Sequence, residues 1–517
     1  MQDTSANNKR IAKNTIFLYF RTFITMIVAL YTSRIILNAL GVEDFGIWGV
    51  LGGIVSLFSF VNSSLSSSIF RYLTYAIGTG DNEQINKTYN ASIIVHICLA
   101  IVIFILCETI GQWFLAEKLV VPEAKREISY IVFQIVVITS CVSLLSVPLN
   151  SVIISYERMN VYAYMSIIDV VIKLTIAYMV SIVPSNKLVW YALMMLVTTL
   201  MLLLFYYLYV RIQFRNLYFQ RVKDPQLFKS LLGFSGWSLF GNLAYVGYTQ
   251  GLNMLINVFF GPIVNAARSI SLQIEQAVRT FVGNFQTAVN PQIIKHYAQH
   301  ELCQMHLLIM RGSKFSLYLL FLFALPIMLE TDTILFLWLK QVPDHTVTFC
   351  RIMFLVIALE TISNSVGIGI VATGNIKKLH IIVGSILLTI VPISYFVLKM
   401  GAPAESVFIV YLFVEIIAVI ARLAIANYQI KLPVTTFFLN VIFKPACVII
   451  FASGIPFLLH TIMQNGLVRF FVVIVVGGLT YSLGIYYFGL DINERNFVYN
   501  KIFRRLLGKR FYHTYNF

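Results

Sequence analysis

Charge is scarce in this chain: 12% of its 517 residues are Asp, Glu, Lys or Arg, against about 25% in ordinary soluble domains. Long polar stretches are missing too, and no segment between the apolar runs is large enough for a separate soluble domain. The six cysteines (Cys98, Cys107, Cys141, Cys303, Cys350 and Cys447) show no CxxC spacing, which argues against a zinc site or a disulfide framework. Catalytic signatures are absent: there is no GxSxG, HExxH, Walker-type GxxxxGK[ST] or DxD. The large extramembrane loop that a membrane glycosyltransferase or polymerase normally needs is lacking as well. An ATP-driven pump and an enzyme are therefore disfavoured.

What fills the chain is apolar sequence. Hydrophobic residues make up 59%, and windows of about 20 residues, enough to cross a hydrocarbon core, recur from end to end. The pattern predicts an all-α polytopic membrane protein with about fourteen transmembrane helices, among them 12–38, 43–69, 160–183, 229–257, 263–291, 437–460 and 469–490. The first run has no small-residue cleavage site and reads as a retained helix. The net charge of +16 would suit nucleic acid, but the lysines and arginines sit in short loops between spans, so no nucleic-acid partner is expected. With both termini in the cytoplasm, 24 of the 38 Lys and Arg fall inside, 8 outside and 6 within spans, which sets the orientation. The tail RNFVYNKIFRRLLGKRFYHTYNF reads either as a segment lying on anionic headgroups or as a solvated basic tail that enforces topology.

The halves of the chain resemble each other. NALGVEDFGIWGV at 38–50 aligns with NVFFGPIVNAARS at 257–269, the ends of the helices that follow keep an offset near 220, and SYERMNVYAYMSII at 155–168 aligns with ATGNIKKLHIIVGS at 372–385. This predicts a six-plus-six duplication: an N-terminal six-helix bundle at 1–210, a basic cytoplasmic linker at 211–229, a C-terminal bundle at 230–430, two added helices at 431–490 and a basic tail at 491–517. Six helices per half place the repeats in parallel, an arrangement suited to alternating access around a central cavity.

Six cations lie within spans: Arg21, Arg34, Lys173, Arg268, Arg279 and Arg422. In NAARSISLQIEQAVRTF (265–281) and the residues after it, Glu275, Arg279 and Gln286 fall within about 20° of Arg268 at helical spacing, and Asn290 lies about 40° away from it. A charge at bilayer centre costs about 2.5–3.5 kcal/mol even on an insertion scale, so this stripe should face a protein or aqueous interior. Glu275 and Arg279, at i and i+4, are expected to pair, which leaves Arg268 uncompensated and suited to an anionic ligand. A buried pair that only locks helix packing is the alternative. Arg21 needs polar surroundings, Arg34 either joins it or reaches the outer interface, and Asp169 with Lys173 reads as a self-neutralising pair. Glu415 and Arg422, two turns apart, are expected to be too distant for contact. The hydroxyl-rich FVNSSLSSSIF (60–70) suits close packing and hints at a hydrophilic path.

Several of these segments resemble one family. NTIFLYFRTFITMIVALYTSRIILNALGVEDFGIWGVLGGIVSLFSF, and above all its ALGVEDFGIWGV turn, is similar to the opening helices of polysaccharide-biosynthesis flippases of the multidrug/oligosaccharidyl-lipid/polysaccharide (MOP) superfamily. SYERMNVYAYMSIIDVVIKL and ATGNIKKLHIIVGSILLTIVPISYF resemble later junctions of that family, and the likeness extends through the twelfth helix. The resemblance implies a MATE-like fold and transport of a polyprenyl-pyrophosphate-linked oligosaccharide from the inner to the outer leaflet of a bacterial inner membrane, for O-antigen, capsule or exopolysaccharide assembly. It implies that Arg268 and Arg279, then Arg21 and Arg34, meet the substrate, with Gln286 and Asn290 beside them in the cavity. It further implies possible coupling to protons or sodium through Glu275 or Asp169, no bound cofactor, and contact with membrane lipids and other polysaccharide-assembly proteins. Two rivals share the helices: a cation-coupled multidrug antiporter, which would favour an anionic cavity, and a flippase for the lipid-linked peptidoglycan precursor.

Overall fold

A computed structural model describes residues 2–56, 59–117, 123–339 and 342–498. Among the described residues the regular structure is all helical, with no strand. Among the described residues eleven helices are long and apolar enough to cross a membrane, from Arg10–Ala29 through Asn82–Gly111, Arg126–Ser155, Met159–Ile182 and Lys187–Gln213 to Val434–Ile462 and Leu467–Gly489. Their apolar residues run around the whole circumference because one side packs on neighbouring helices and the other faces lipid. On the last two spans Phe451 and Val468 are 79% and 71% exposed, as a lipid-facing surface requires. The helix Pro225–Ala298, which carries the polar stripe, is not among the eleven.

Two long helices are each broken once by a glycine. Gln2–Ser56 breaks at Gly41 (φ 81°, ψ 167°) and Pro225–Ala298 at Gly261 (φ 77°, ψ −173°). This region of backbone space is open essentially to glycine alone. Nothing lies within 4 Å of a Cβ built at either residue, so conformation and not space requires glycine there. The two breaks stand 220 positions apart (261 − 41), at the offset of the aligned sequence segments. Other left-handed residues repeat in the same way: Gly80 with His300, Glu157 with Gly374, and Asn186 with Gly401. Ten described residues have positive φ, and these four pairs account for eight of them. The backbone thus turns at positions that recur near the offset of the aligned segments.

Two compact units divide the chain. The first comprises Met1–Gly247, Gly283–Leu308 and Gly367–Ser385. Its core is aliphatic, built around Leu51, Val132, Phe133 and Val137 in one cluster and Ile69, Leu73, Val152 and Ile153 in another. Helices approach closely at Gly78, where an added Cβ would sit 2.9 Å from the Ala298 Cβ. The second unit comprises Tyr248–Val282, Ile309–Val366 and Ile386–Phe517. In it, Leu467–Gly489 packs on Val434–Ile462 and is tied to the helix Leu302–Leu329 at both of its ends. At one end the buried Glu330 takes Arg469 (2.9 Å) and His460 (2.9 Å). At the other, Lys314 donates to Glu494 (2.7 Å) and the Tyr318 hydroxyl to the Gly489 carbonyl (3.3 Å). The expected basic tail beyond residue 498 lies outside the described residues.

Candidate functional site

The helix beginning after Gly261 carries the stripe, and its parts belong to different units: Arg268, Glu275 and Arg279 to the second, Gln286 and Asn290 to the first. In the second unit every described in-span arginine has its own carboxylate. Arg268 pairs with Glu275 across two helical turns (Nη1 to Oε1, 2.5 Å), and the Ser271 hydroxyl donates to the same oxygen (2.9 Å). The guanidinium lies over the Phe408 ring, 5.0 Å from its centroid, and Arg268 is 1% exposed. Arg279 instead pairs with Glu360 of the helix Thr346–Ala372. Glu360 also accepts from the Tyr411 hydroxyl (2.7 Å), which lies 3.0 Å from that of Tyr248. Arg422 reaches Glu415 (2.6 Å) and Ser363 (2.9 Å).

Three sequence-based expectations are corrected here. Glu275 is held by Arg268 and not by Arg279; Arg268 is not uncompensated; and Glu415 and Arg422 do touch. The physical reason is common to all three. Residues i and i+7 lie within about 20° on a helix and about 10.5 Å apart along it, a gap that an extended arginine and a glutamate close between them. An i,i+4 rule overlooks this reach. Glu360 and Tyr411, on other helices, were not singled out as site residues from the sequence. An intramembrane carboxylate is by itself a pointer to function, and that was the available signal for Glu360.

The first unit holds a different kind of cation. Arg21 lies over the Tyr162 ring, 5.0 Å from its centroid, and its buried Nε has no hydrogen-bond partner. No carboxylate among the described residues forms an ion pair with it. Nearby on the chain, Thr22 accepts from the Asn284 amide (2.7 Å), so the stripe's continuation packs beside this part of the first helix. Gln286 is buried, and the Asn290 Oδ1 is buried without a partner. Asp169 and Lys173 form the expected i,i+4 pair at 2.8 Å. The side chain of Arg34 lies outside the described residues.

At the ends of the same helices, the corresponding turns of the two sequence repeats are each closed by cations. Glu157, left-handed at φ 59° and 3% exposed, takes Lys295 (2.5 Å), Gln292 (2.6 Å) and Arg10 (3.1 Å). At the equivalent turn stands Gly374, where an added Cβ would meet the Arg71 guanidinium at 2.9 Å. Arg71 donates to the Ala372 carbonyl from Nη2 (2.8 Å) and Nε (3.2 Å), and it stacks on Tyr72 and Tyr75. One repeat thus offers a carboxylate and the other an empty space, and each is filled by a basic side chain. Among the described residues no group of His, Cys, Asp and Glu could hold a metal ion.

A polytopic helical chain with a repeated backbone and paired charges inside its spans has the architecture of a membrane transporter. The solved structures it resembles are of that class. An outward-facing multidrug resistance MATE family transporter of the MOP superfamily superposes with a TM-score of 0.70 at 14% identity, over 82% of this chain and 96% of that one. A MOP superfamily transporter from Pyrococcus furiosus, described as having a binding pocket of reversed polarity, gives 0.71 at 14% identity over the same shares. A MATE protein in the straight conformation gives 0.71 at 15% identity. The fold is therefore the MATE-like fold that these MOP superfamily transporters share. The polysaccharide biosynthesis protein family matches residues 11–296, more than half of the chain, and the chain belongs to that family. No curated protein matches it.

Proposed function

We propose that this protein is a flippase that carries a polyprenyl-pyrophosphate-linked oligosaccharide from the inner to the outer leaflet of a bacterial inner membrane by alternating access. It would work with both termini in the cytoplasm and through two lobes, 1–210 and 230–430. The observation that carries the reading is Arg21: in a chain of the polysaccharide biosynthesis family, it is an in-span guanidinium backed by an aromatic ring and held by no carboxylate among the described residues. Such a group is suited to phosphate oxygens, for which the planar fork of arginine is the best side-chain match. The amides of the buried Gln286 and the half-buried Asn290 suit sugar hydroxyls, and Arg279, Arg34 and Arg268 remain further candidate contacts. Of these, Arg268 is sealed by Glu275 and Phe408 and is suited to holding helices together.

A cationic drug, the substrate class of the antiporter reading, would find Asp169, Glu275, Glu360 and Glu415 already engaged by cations. Glu108 takes the amides of Gln112 and Gln134. Four of these five carboxylates are thus already neutralised, which favours an anionic substrate over a cationic one. Deleting the gene in its host tests the proposal through surface polysaccharide and lipid-linked oligosaccharide on the inner leaflet. Loss of surface glycan together with an accumulated, fully assembled precursor is expected. Unchanged glycan with altered drug sensitivity would transfer the protein to the antiporter reading.

A further inference from the structure

The three pairs that Arg268, Arg279 and Arg422 make with carboxylates in the second unit are unequal. Side-chain exposure is 2% and 4% for Arg268 and Glu275, and 1% for Glu415 under Arg422. It is 22% for Arg279 and 19% for Glu360, so this pair alone among the three is open on both partners. Glu360 is also the one of these carboxylates that is backed by a relay of hydroxyls, Tyr411 and then Tyr248, both almost fully buried. Its surroundings are therefore asymmetric: a guanidinium on the open side and a neutral hydrogen-bond donor on the closed side.

We propose that Arg279 and Glu360 form an exchangeable anion site, in which a diphosphate group replaces the Glu360 carboxylate on Arg279 and Glu360 takes up one proton. This rests on the anionic-substrate reading and adds to it the group that links substrate to protons. Expected coupling residues in the sequence were Glu275 and Asp169; the structure directs attention to Glu360 instead. In the exchange, the guanidinium–carboxylate ion pair opens, a proton from solvent bonds to a Glu360 oxygen, and phosphate oxygens take the freed guanidinium donors. No other bond is made or broken.

Electrostatics supplies the linkage. A diphosphate and an ionised Glu360 side by side, largely out of water, would repel strongly, and protonation removes the repulsion. Once neutral, Glu360 keeps the Tyr411 hydrogen bond, because a carboxylic acid still has an oxygen to accept it. The other groups around it are fixed: Arg422 stays with Glu415 and Ser363, and the tyrosine hydroxyls remain neutral donors at physiological pH. The pairs Arg268–Glu275 and Arg422–Glu415 are too enclosed to exchange in this way and serve as fixed charges.

The test uses the purified full-length protein in detergent, with a short isoprenyl diphosphate as probe and the matching isoprenyl alcohol as control. Affinity is measured from about pH 6 to about pH 8, with proton uptake on binding followed in weak buffer. One linked proton steepens the affinity by up to about tenfold per pH unit beyond the titration of the probe itself. Wild type is expected to show that extra slope and an uptake near one proton. Glu360→Gln, an isosteric mimic of the protonated state that retains the Tyr411 contact, should bind tightly at every pH with the extra slope and uptake gone. Tyr411→Phe should keep the slope but shift it to higher pH, since it loses a donor that favours the carboxylate. Inorganic pyrophosphate should compete with the probe; failure to compete would contradict a site built for the diphosphate. Equal slopes and equal uptake in wild type and Glu360→Gln would overturn the exchange while leaving an anionic substrate in place. No preference for the diphosphate over the alcohol, in wild type or either variant, would sink the anionic-substrate reading itself.

Discussion

The second unit matches each described in-span arginine with a carboxylate, whereas the first leaves Arg21 with a tyrosine ring in place of one. Both solve the same problem, a guanidinium in apolar surroundings, but in opposite ways. An enclosed matched pair such as Arg268 with Glu275 is electrically finished, and removing one partner strands the other. A cation softened by a π face stays receptive to an anion, because the ring offers attraction without taking up the charge. In-span charge therefore does not by itself mark a binding site; what separates structure from function is whether the counter-charge is missing, as at Arg21, or open enough to be displaced, as at Arg279 and Glu360.

The largest effect is expected where the match is most buried. Glu275→Leu leaves Arg268 alone beneath Phe408 and should destabilise the protein by about 3–5 kcal/mol, seen as a marked fall in thermal unfolding temperature in detergent. Adding Arg268→Met should restore most of the loss. A double variant as unstable as the single one would show that Arg268 is not merely a structural partner.

Arg21→Ala should act on transport and not on folding. Losing a charge-assisted contact of about 1.5–3 kcal/mol predicts export reduced by about 10- to 100-fold at normal membrane levels, and Arg21→Lys should fall between because it lacks the planar fork. Normal export by Arg21→Ala would erase the distinction between the two units.

Gly261→Ala should cost about 1–3 kcal/mol, and Gly41→Ala a similar amount, from backbone strain alone, since a methyl at either place meets nothing. Parallel melting shifts would confirm equivalent breaks in the two repeats; a silent substitution at one would show that its conformation is not required. Asp169→Asn should change stability least, by under about 1 kcal/mol, because the Asp169–Lys173 pair is partly exposed.

Much of the fold was legible because lipid imposes simple rules. Apolar windows, basic loops and the ALGVEDFGIWGV turn led to the all-α MOP architecture, and the offset near 220 anticipated the paired breaks at Gly41 and Gly261. The site was legible in part. Helical angles placed Arg268, Glu275 and Arg279 on one stripe, but angle says nothing about which partner an arginine selects. Local spacing favoured Glu275 with Arg279, whereas tertiary packing brought Glu360 from another helix to Arg279 and freed Glu275 for Arg268. Glu157 was equally hidden, since its three partners Arg10, Gln292 and Lys295 are more than 130 positions away.

The most direct test of the central claim is flipping in proteoliposomes loaded with a lipid-linked diphosphate oligosaccharide. Exposure of the diphosphate would be read by an enzyme that cannot cross the bilayer and cleaves only what reaches the outer face. The account predicts that wild-type protein exposes the inner pool and that Arg21→Ala, equally folded and equally reconstituted, does so at least about tenfold more slowly. An inner pool that stays protected with wild-type protein, or is exposed equally fast with Arg21→Ala, would contradict it.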